Sequence, residues 1–214
     1  MKIFSSKKKR DLPERSIEEI KGLCKILFID DKKFAVVDIL QAAGWTKTKR
    51  IKDVRSIDES DVSEANIIFV DVQGVGKMLK FKDEGLGLTI ALKEKYPSKK
   101  VVVYSAEDDG KIETFHKALS VADERLSKNA DPYEFQSLVE RFSKEAFSFD
   151  ECILRIQKVI QQESGLIFER DEIVKNMLKI YNKGKYTEKT ISDVFNLPNA
   201  ASIASIIQLF LTAR

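Results

Sequence analysis

Histidine and cysteine are scarce in this chain of 214 residues, which contains one histidine, His116, and two cysteines, Cys24 and Cys152. A single histidine excludes any zinc site that needs two or more histidines, and any catalytic pair of histidines. Two cysteines cannot build a disulfide framework, and both lie in apolar stretches that are typical of buried thiols. Any chemistry of this protein is therefore expected to depend on carboxylates and lysines.

The sequence also lacks a strong charge imbalance and a long apolar run. Its 37 basic residues against 34 acidic ones give a net charge of +3, so nucleic acid is not the expected partner. The longest apolar runs fall far short of the roughly 20 residues that span a bilayer. The N-terminus is polar and basic, without the apolar centre of a signal peptide. These features predict a cytoplasmic protein that does not contact the membrane.

Short apolar runs alternate with segments of helical periodicity over the first 146 residues. Strands are predicted at 24–29, 48–54, 65–70, 101–104 and 122–127. Helices are predicted at 34–43, 86–96 and 110–119, with a further one starting at Asp131-Pro132. Strands rich in Val, Ile and Phe that alternate with helices are typical of a parallel sheet covered on both faces. The sequence therefore predicts a doubly wound α/β domain with a five-stranded parallel sheet over residues 24–146.

Two flanking segments differ in character from this domain. Residues 1–23 are predicted to be a basic N-terminal extension, with the cationic run Lys7–Arg10 and a short helix from Ser16 to Leu23. After residue 146 the strand patterns stop, and residues 147–214 are predicted to form an all-helical module. Three apolar stripes at helical spacing support this prediction: Cys152, Ile156, Val159 and Ile160; Ile173, Met177, Ile180 and Tyr181; and Ile203, Ile206, Ile207 and Phe210.

Polar side chains follow four of the predicted strands. Asp30 and Asp31 follow the first strand, Asp71 the third, Ser105 the fourth and Lys128 the fifth. Ligands of open parallel sheets bind at the carboxyl ends of the strands, so these side chains are expected to converge. Carboxylates that lie this close repel one another, and a hard cation such as Mg²⁺ relieves the repulsion. Taken singly, each aspartate is also typical of a turn or of a helix N-cap.

Such a cluster suits phosphoryl chemistry. With a metal on one side and the Lys128 ammonium on the other, the Asp71 carboxylate would be able to attack a phosphoryl group. Ser105 would donate a hydrogen bond to a phosphoryl oxygen, and the small Ala106 would leave room for the group. A metabolic enzyme is the least favoured interpretation, because the cluster offers no second acid–base group besides the carboxylates.

In their order and spacing, these motifs resemble the receiver domain of bacterial two-component response regulators. The resemblance covers about residues 24–145 and implies a flavodoxin-like fold of the receiver type. It rests on Asp30-Asp31 after the first strand, Phe69-Val70-Asp71 after the third, Ser105-Ala106 after the fourth and Leu126-Ser127-Lys128 after the fifth.

The resemblance also implies a reaction. Asp71 would accept a phosphoryl group from a phospho-histidine donor, which is a sensor histidine kinase or a phosphotransfer protein, in a Mg²⁺-dependent step. Ser105 and Lys128 would bind the phosphoryl oxygens. Any catalysis would be limited to autocatalytic phosphoryl acceptance and dephosphorylation. The metal ligands implied are Asp30, Asp31, Asp71 and the backbone carbonyl of Gln73.

The sequence departs from the family pattern at three places. Arg125 stands where receivers usually carry an aromatic residue, and Asn129 stands where a proline usually follows the lysine. A cis bond before a non-proline residue costs about 3–4 kcal/mol, so a trans Lys128–Asn129 bond is expected. The segment 72–84 is longer than usual and carries three lysines. These changes leave the acidic pocket intact but alter the face through which receivers usually signal.

Three interpretations of the whole chain remain. In the first, a phosphorylated receiver signals through protein contacts or self-association of residues 147–214. In the second, the domain is a pseudo-receiver scaffold that is never phosphorylated. In the third, residues 187–214 form a DNA-binding helix–turn–helix around Leu197-Pro198-Asn199. The absence of Lys and Arg from residues 200–211 favours protein contacts over DNA, since a recognition helix needs side chains that reach bases and phosphates.

Overall fold

The computed structural model describes residues 15–106 and 117–211. These residues separate into two compact units: an α/β unit, Ser16–Ala146, and a helical unit that follows it from Phe147. Three groups of predictions lie outside the described residues. They concern the basic run Lys7–Arg10, the part of the predicted helix at residues 110–116 together with His116, and the final residues 212–214.

The α/β unit is built on a five-stranded parallel sheet. Neighbouring strands pair in parallel in the order β2-β1-β3-β4-β5. The chain passes from β1 to β2 on one side and from β1 to β3, β4 and β5 on the other, which is the flavodoxin-like strand order. The predicted doubly wound fold is confirmed. The strands are β1 (Ile26–Ile29), β2 (Thr48–Ile51), β3 (Ile67–Asp71), β4 (Lys100–Ser105) and β5 (Glu124–Ser127).

Helices cover the sheet of this unit. The first of them, α1, is capped by Ser16 and buries Ile20, and it contacts α6. Because of this packing the unit starts at Ser16, whereas the sequence predicted a boundary at residue 24. The helices are α1 (Ile17–Leu23), α2 (Val36–Ala42), α3 (Ser60–Glu64), α4 (Glu84–Lys95), α5 (Lys117–Val121) and α6 (Pro132–Ala146).

The two faces of the sheet bury different side chains, because successive residues of a strand point to opposite faces. One face carries aliphatic residues of β1 and β3, which pack with Leu88 and Leu92 of α4. The other face carries an aromatic layer in which the rings of Phe28 and Phe69 stack with centroids 4.4 Å apart. One member, Tyr104, is the next-to-last residue of β4 and so lies near the carboxyl edge of the sheet. The members of this layer are Phe28, Phe34, Phe69, Tyr104 and Phe135.

The helical unit has an apolar core of its own. Residues of all three predicted stripes are buried in it, including Cys152, Ile173 and Ile207. Side-chain caps at Ser148 and Thr187 start two of its helices. Within the described residues, no helix is both long and apolar enough to cross a membrane. The helices are α7 (Phe149–Ser164), α8 (Arg170–Lys183), α9 (Glu188–Phe195) and α10 (Ala201–Leu211).

Candidate functional site

The polar residues at the strand ends meet at one edge of the sheet. One carboxylate oxygen from each of Asp30, Asp31 and Asp71 lies within 4.8 Å of the others. The Lys128 ammonium lies between two of these carboxylates, 2.6 Å from Asp71 Oδ2 and 2.9 Å from Asp30 Oδ2. The structure thus brings together four residues from three separate parts of the sequence.

A cavity of about 530 Å³ opens onto this cluster. Asp31 is exposed at its wall, whereas Asp30 lies deeper and is only 1% exposed. Ser105 is buried at the end of β4, and its backbone carbonyl accepts a 2.6 Å hydrogen bond from the Lys128 amide. The backbone amide of Gln73 donates to the Asp71 carboxylate. The predicted site residues that line the cavity are Asp31, Asp71, Gln73, Ser105 and Lys128.

The local environment shifts the pKa values of the three central groups in different directions. Burial raises the pKa of Asp71, and the hydrogen bond from Lys128 only partly opposes this rise. Burial would also raise the pKa of Asp30. Hydrogen bonds that the Lys128 ammonium, the Lys32 amide and the Tyr104 hydroxyl donate to this carboxylate outweigh burial, so the pKa of Asp30 is lowered. Burial disfavours the charged form of Lys128, yet its bonds to the two carboxylates raise its pKa. Asp71 is therefore the more basic of the two carboxylates that contact the ammonium.

Two residues that the sequence prediction missed hold Asp30 in place. The Tyr104 hydroxyl donates to Asp30 Oδ2 at 2.8 Å, and the Arg50 guanidinium donates to the Asp30 backbone carbonyl at 2.6 Å. The only sequence signal for Tyr104 is its hydroxyl, which follows the three valines 101–103 of β4. Arg50 lies on β2, which pairs with β1 and so brings this side chain near the end of β1.

The first half of the site loop, residues 72–84, is held by two carboxylates, those of Asp53 and Glu84. Asp53 accepts hydrogen bonds from the amides of Gly76 and Met78, at 2.6 and 3.0 Å. Glu84 accepts the amide of Gly74. Gly74 has φ +84°, and a Cβ there would lie 2.6 to 2.9 Å from the Asp31 carboxylate. The backbone of the site loop is therefore fixed directly against Asp31, and only glycine fits at this point.

Replacing Asp53 with alanine is expected to loosen the site loop. The change removes the acceptor of two loop amides, so we expect the free energy of unfolding to fall by about 1–3 kcal/mol. Hydrogen exchange at Gly76 and Met78 should accelerate. Asp58→Ala is the matched control, because Asp58 is exposed and pairs with Lys95 at the surface, where such a pair contributes about 0–1 kcal/mol. Equal protection of both amides in Asp53→Ala and wild type would contradict this assignment.

The connection after Lys128 also follows the sequence prediction. No cis peptide bond occurs in the described ranges, so the Lys128–Asn129 bond is trans, as expected. The Asn129 amide donates to the Ser127 hydroxyl at 3.1 Å. With this turn, Lys128 contacts both carboxylates although Asn129 and not proline follows it.

The chain resembles solved structures in fold, but the comparisons found no close relative in sequence. No protein-family model matches the chain, and no curated protein matches it significantly. A response regulator from Thermotoga maritima is 19% identical, with 56% of this chain and 97% of that one covered and a TM-score of 0.42. The receiver domain of NtrX from Brucella abortus is 24% identical, with 56% and 98% covered and a TM-score of 0.41. A CheY-like receiver domain protein from Methanospirillum hungatei is 18% identical, with 57% and 95% covered and a TM-score of 0.44.

Proposed function

We propose that the α/β unit is a response-regulator-like receiver that accepts a phosphoryl group on Asp71 in a Mg²⁺-dependent reaction. One observation carries the proposal: the Lys128 ammonium contacts Asp71 beside two further carboxylates at the carboxyl edge of the sheet. The strand order of the sheet and the cavity at the same edge support it.

In this reaction the Asp71 carboxylate is the nucleophile. One of its oxygens forms a bond to phosphorus while the phosphorus–nitrogen bond of a phospho-histidine donor breaks, and the electron pair goes to the imidazole that leaves. The Lys128 ammonium neutralises charge on a phosphoryl oxygen, and the Ser105 hydroxyl donates to another. The raised pKa of Asp71 is consistent with this role, because a more basic carboxylate is the better nucleophile.

The acidic cluster fits a divalent cation. Asp30, Asp31 and Asp71 offer only hard oxygen ligands, and their carboxylate oxygens lie close enough to share one ion. These three carboxylates would hold Mg²⁺, with the backbone carbonyl of Gln73 as a further ligand. When bound, the ion would supply positive charge to the acidic cluster in addition to that of Lys128. A sensor histidine kinase or a phosphotransfer protein would be the donor, which corresponds to a cytoplasmic location.

The helical unit would transmit the signal through contacts with a downstream protein or with a second copy of the chain. Its α7–α8 connection exposes Leu166 and Ile167, which are apolar side chains suited to a protein partner. DNA is less favoured, because the exposed positions of α10 are Ala201, Ser205 and Gln208 and carry no cation.

Mass spectrometry after treatment with phosphoramidate and Mg²⁺ tests the phosphoryl acceptor. Wild type should gain the mass of one phosphoryl group, because phosphoramidate carries the same phosphorus–nitrogen bond as phospho-histidine. Asp71→Ala should gain none, since it lacks the attacking oxygen. An excess of EDTA should prevent labelling of the wild type.

Asp58→Ala provides the control for this labelling, since it removes an exposed carboxylate that has no contact with the cluster. It should be labelled like the wild type. A wild type that stays unmodified with Mg²⁺ present would refute phosphoryl acceptance and favour the pseudo-receiver scaffold. Equal labelling of Asp71→Ala and wild type would show that another residue accepts the phosphoryl group.

A further inference from the structure

Tyr104 lies directly beneath the acidic cluster. Its side chain is fully buried, and its ring contacts the other four members of the aromatic layer. The hydroxyl is directed out of this layer and donates to Asp30 Oδ2 at 2.8 Å. The Lys128 ammonium lies 5.1 Å from the centroid of the same ring. The Tyr104 side chain thus contacts both an acidic residue of the site, Asp30, and a basic one, Lys128.

The hydrogen bonds of Asp30 explain why the Tyr104 hydroxyl matters. Asp30 is buried, so protein donors must satisfy its carboxylate. Oδ1 accepts the Lys32 amide at 2.9 Å, whereas Oδ2 accepts both the Tyr104 hydroxyl and the Lys128 ammonium. Without the hydroxyl, the ammonium would be the remaining donor to Oδ2 within residues 15–106 and 117–211. It would then move toward Asp30.

Such a movement would act on Asp71. Lys128 contacts Asp71 Oδ2 and Asp30 Oδ2 at the same time, so a shift toward one carboxylate is a shift away from the other. The ring of Tyr104 adds a favourable surface for a cation at this intermediate position. The hydroxyl and the ring therefore both favour an ammonium that is shared between the two carboxylates.

We propose that Tyr104 is a positioning residue that keeps the Lys128 ammonium shared between Asp30 and Asp71. Its consequence for phosphoryl transfer rests on the function proposed above, because Lys128 must reach the group that is transferred to Asp71. The contacts themselves are present without any phosphoryl donor.

The first test compares labelling rates of Tyr104→Phe and wild type with phosphoramidate at saturating Mg²⁺. Phenylalanine keeps the ring and removes only the hydroxyl. We expect the maximal rate to fall about tenfold, because the loss of one hydrogen bond to a charged group changes a rate by roughly this factor. The KM for the donor should change little. Tyr96→Phe is the matched control, because its hydroxyl also contacts a carboxylate, that of Asp58, but remote from the cluster. It should label at the wild-type rate.

The second test measures urea unfolding in EDTA for wild type, Tyr104→Phe, Lys128→Met and the double variant. If Lys128 compensates for the missing hydroxyl by moving toward Asp30, Tyr104→Phe should lower the unfolding midpoint more in the Lys128→Met background than in wild type. Equal shifts in both backgrounds, or an unchanged labelling rate in Tyr104→Phe, would overturn the proposal. If wild type takes no label, the proposed function fails, but the unfolding measurements still decide the role of Tyr104.

Discussion

Lys128→Met is expected to destabilise the metal-free protein by about 3 kcal/mol and to abolish phosphorylation of Asp71. The ammonium is the shared partner of two carboxylates that are nearly inaccessible to solvent, with the Lys128 side chain itself 15% exposed. Removing one partner of a buried charge pair costs about 3–5 kcal/mol, because the remaining charge is left uncompensated. We expect the lower end of this range, since the adjoining cavity admits water. Urea unfolding in EDTA measures the loss.

Magnesium distinguishes the loss of this particular charge from general damage to the core. A cation among the carboxylates would replace part of the missing charge, so Mg²⁺ should stabilise Lys128→Met more than it stabilises wild type. Lys93→Met is the matched control. Lys93 is equally buried and pairs with Asp123 at 2.8 Å, but it lies outside the acidic cluster. It should be destabilised without any additional gain from Mg²⁺. Equal stabilisation of Lys128→Met and wild type by Mg²⁺ would contradict this compensation, and no stabilisation of either would contradict a cation site at these carboxylates.

The pH dependence of this stability difference has a defined sign. The pKa of Lys128 is raised above its ordinary value of 10.5, so its contribution is complete below pH 10.5 and is lost as the pH rises through the folded-state pKa. The pKa of Asp30 is lowered below 3.8, so its contribution is complete above pH 3.8 and is lost as the pH falls through its folded-state pKa. The pKa of Asp71, the other partner of Lys128, is raised above 3.8, so its attraction to the ammonium starts to be lost above that pH as the solution is acidified. The difference between wild type and Lys128→Met should therefore shrink at both extremes of pH.

The sequence was sufficient to predict that the site residues lie close together, and the reason is the topology of the sheet. In a parallel sheet all strands run the same way, so residues that follow β1, β3, β4 and β5 must reach the same edge, however far apart they lie in the chain. The apolar strands in the sequence were therefore enough to predict that Asp30, Asp71 and Lys128 lie at one edge. Their assigned roles in phosphoryl transfer remain predictions for the labelling experiments.

The supporting residues could not be predicted in this way, because their roles depend on contacts across the fold. Tyr104 reaches Asp30 across 74 positions of the sequence, and within its own strand it is one more large apolar side chain. Asp53 follows β2 in a segment that resembles an ordinary turn, yet it accepts amides of the site loop 23 and 25 positions away. The inclusion of α1 in the α/β unit depends on the same kind of contact, since α1 packs against the distant helix α6.

Gly85→Ala is expected to have the other large effect, although Gly85 is in the first turn of α4. A Cβ at this position would lie 1.7 Å from the backbone carbonyl oxygen of Asp71 and 3.1 Å from that of Val72. Both obstacles are backbone atoms at the end of β3, so no change of rotamer relieves the overlap. The Gly85 amide also donates to the Val72 carbonyl at 3.1 Å, which fixes the close approach of helix and strand. The substitution must move either α4 or the segment that carries the Asp71 carboxylate.

Helix propensity alone predicts the opposite sign, since alanine is favoured over glycine in helices by about 1 kcal/mol. The overlap should outweigh this gain, and we expect a loss of about 3 kcal/mol or more in the free energy of unfolding, together with impaired labelling of Asp71. Gly22→Ala in α1 is the matched control, because a Cβ there meets no atom within 4 Å and should leave stability equal or slightly higher. If Gly85→Ala were as stable as Gly22→Ala, α4 could not approach β3 as closely as described. The wall of the site next to Asp71 would then have a different shape.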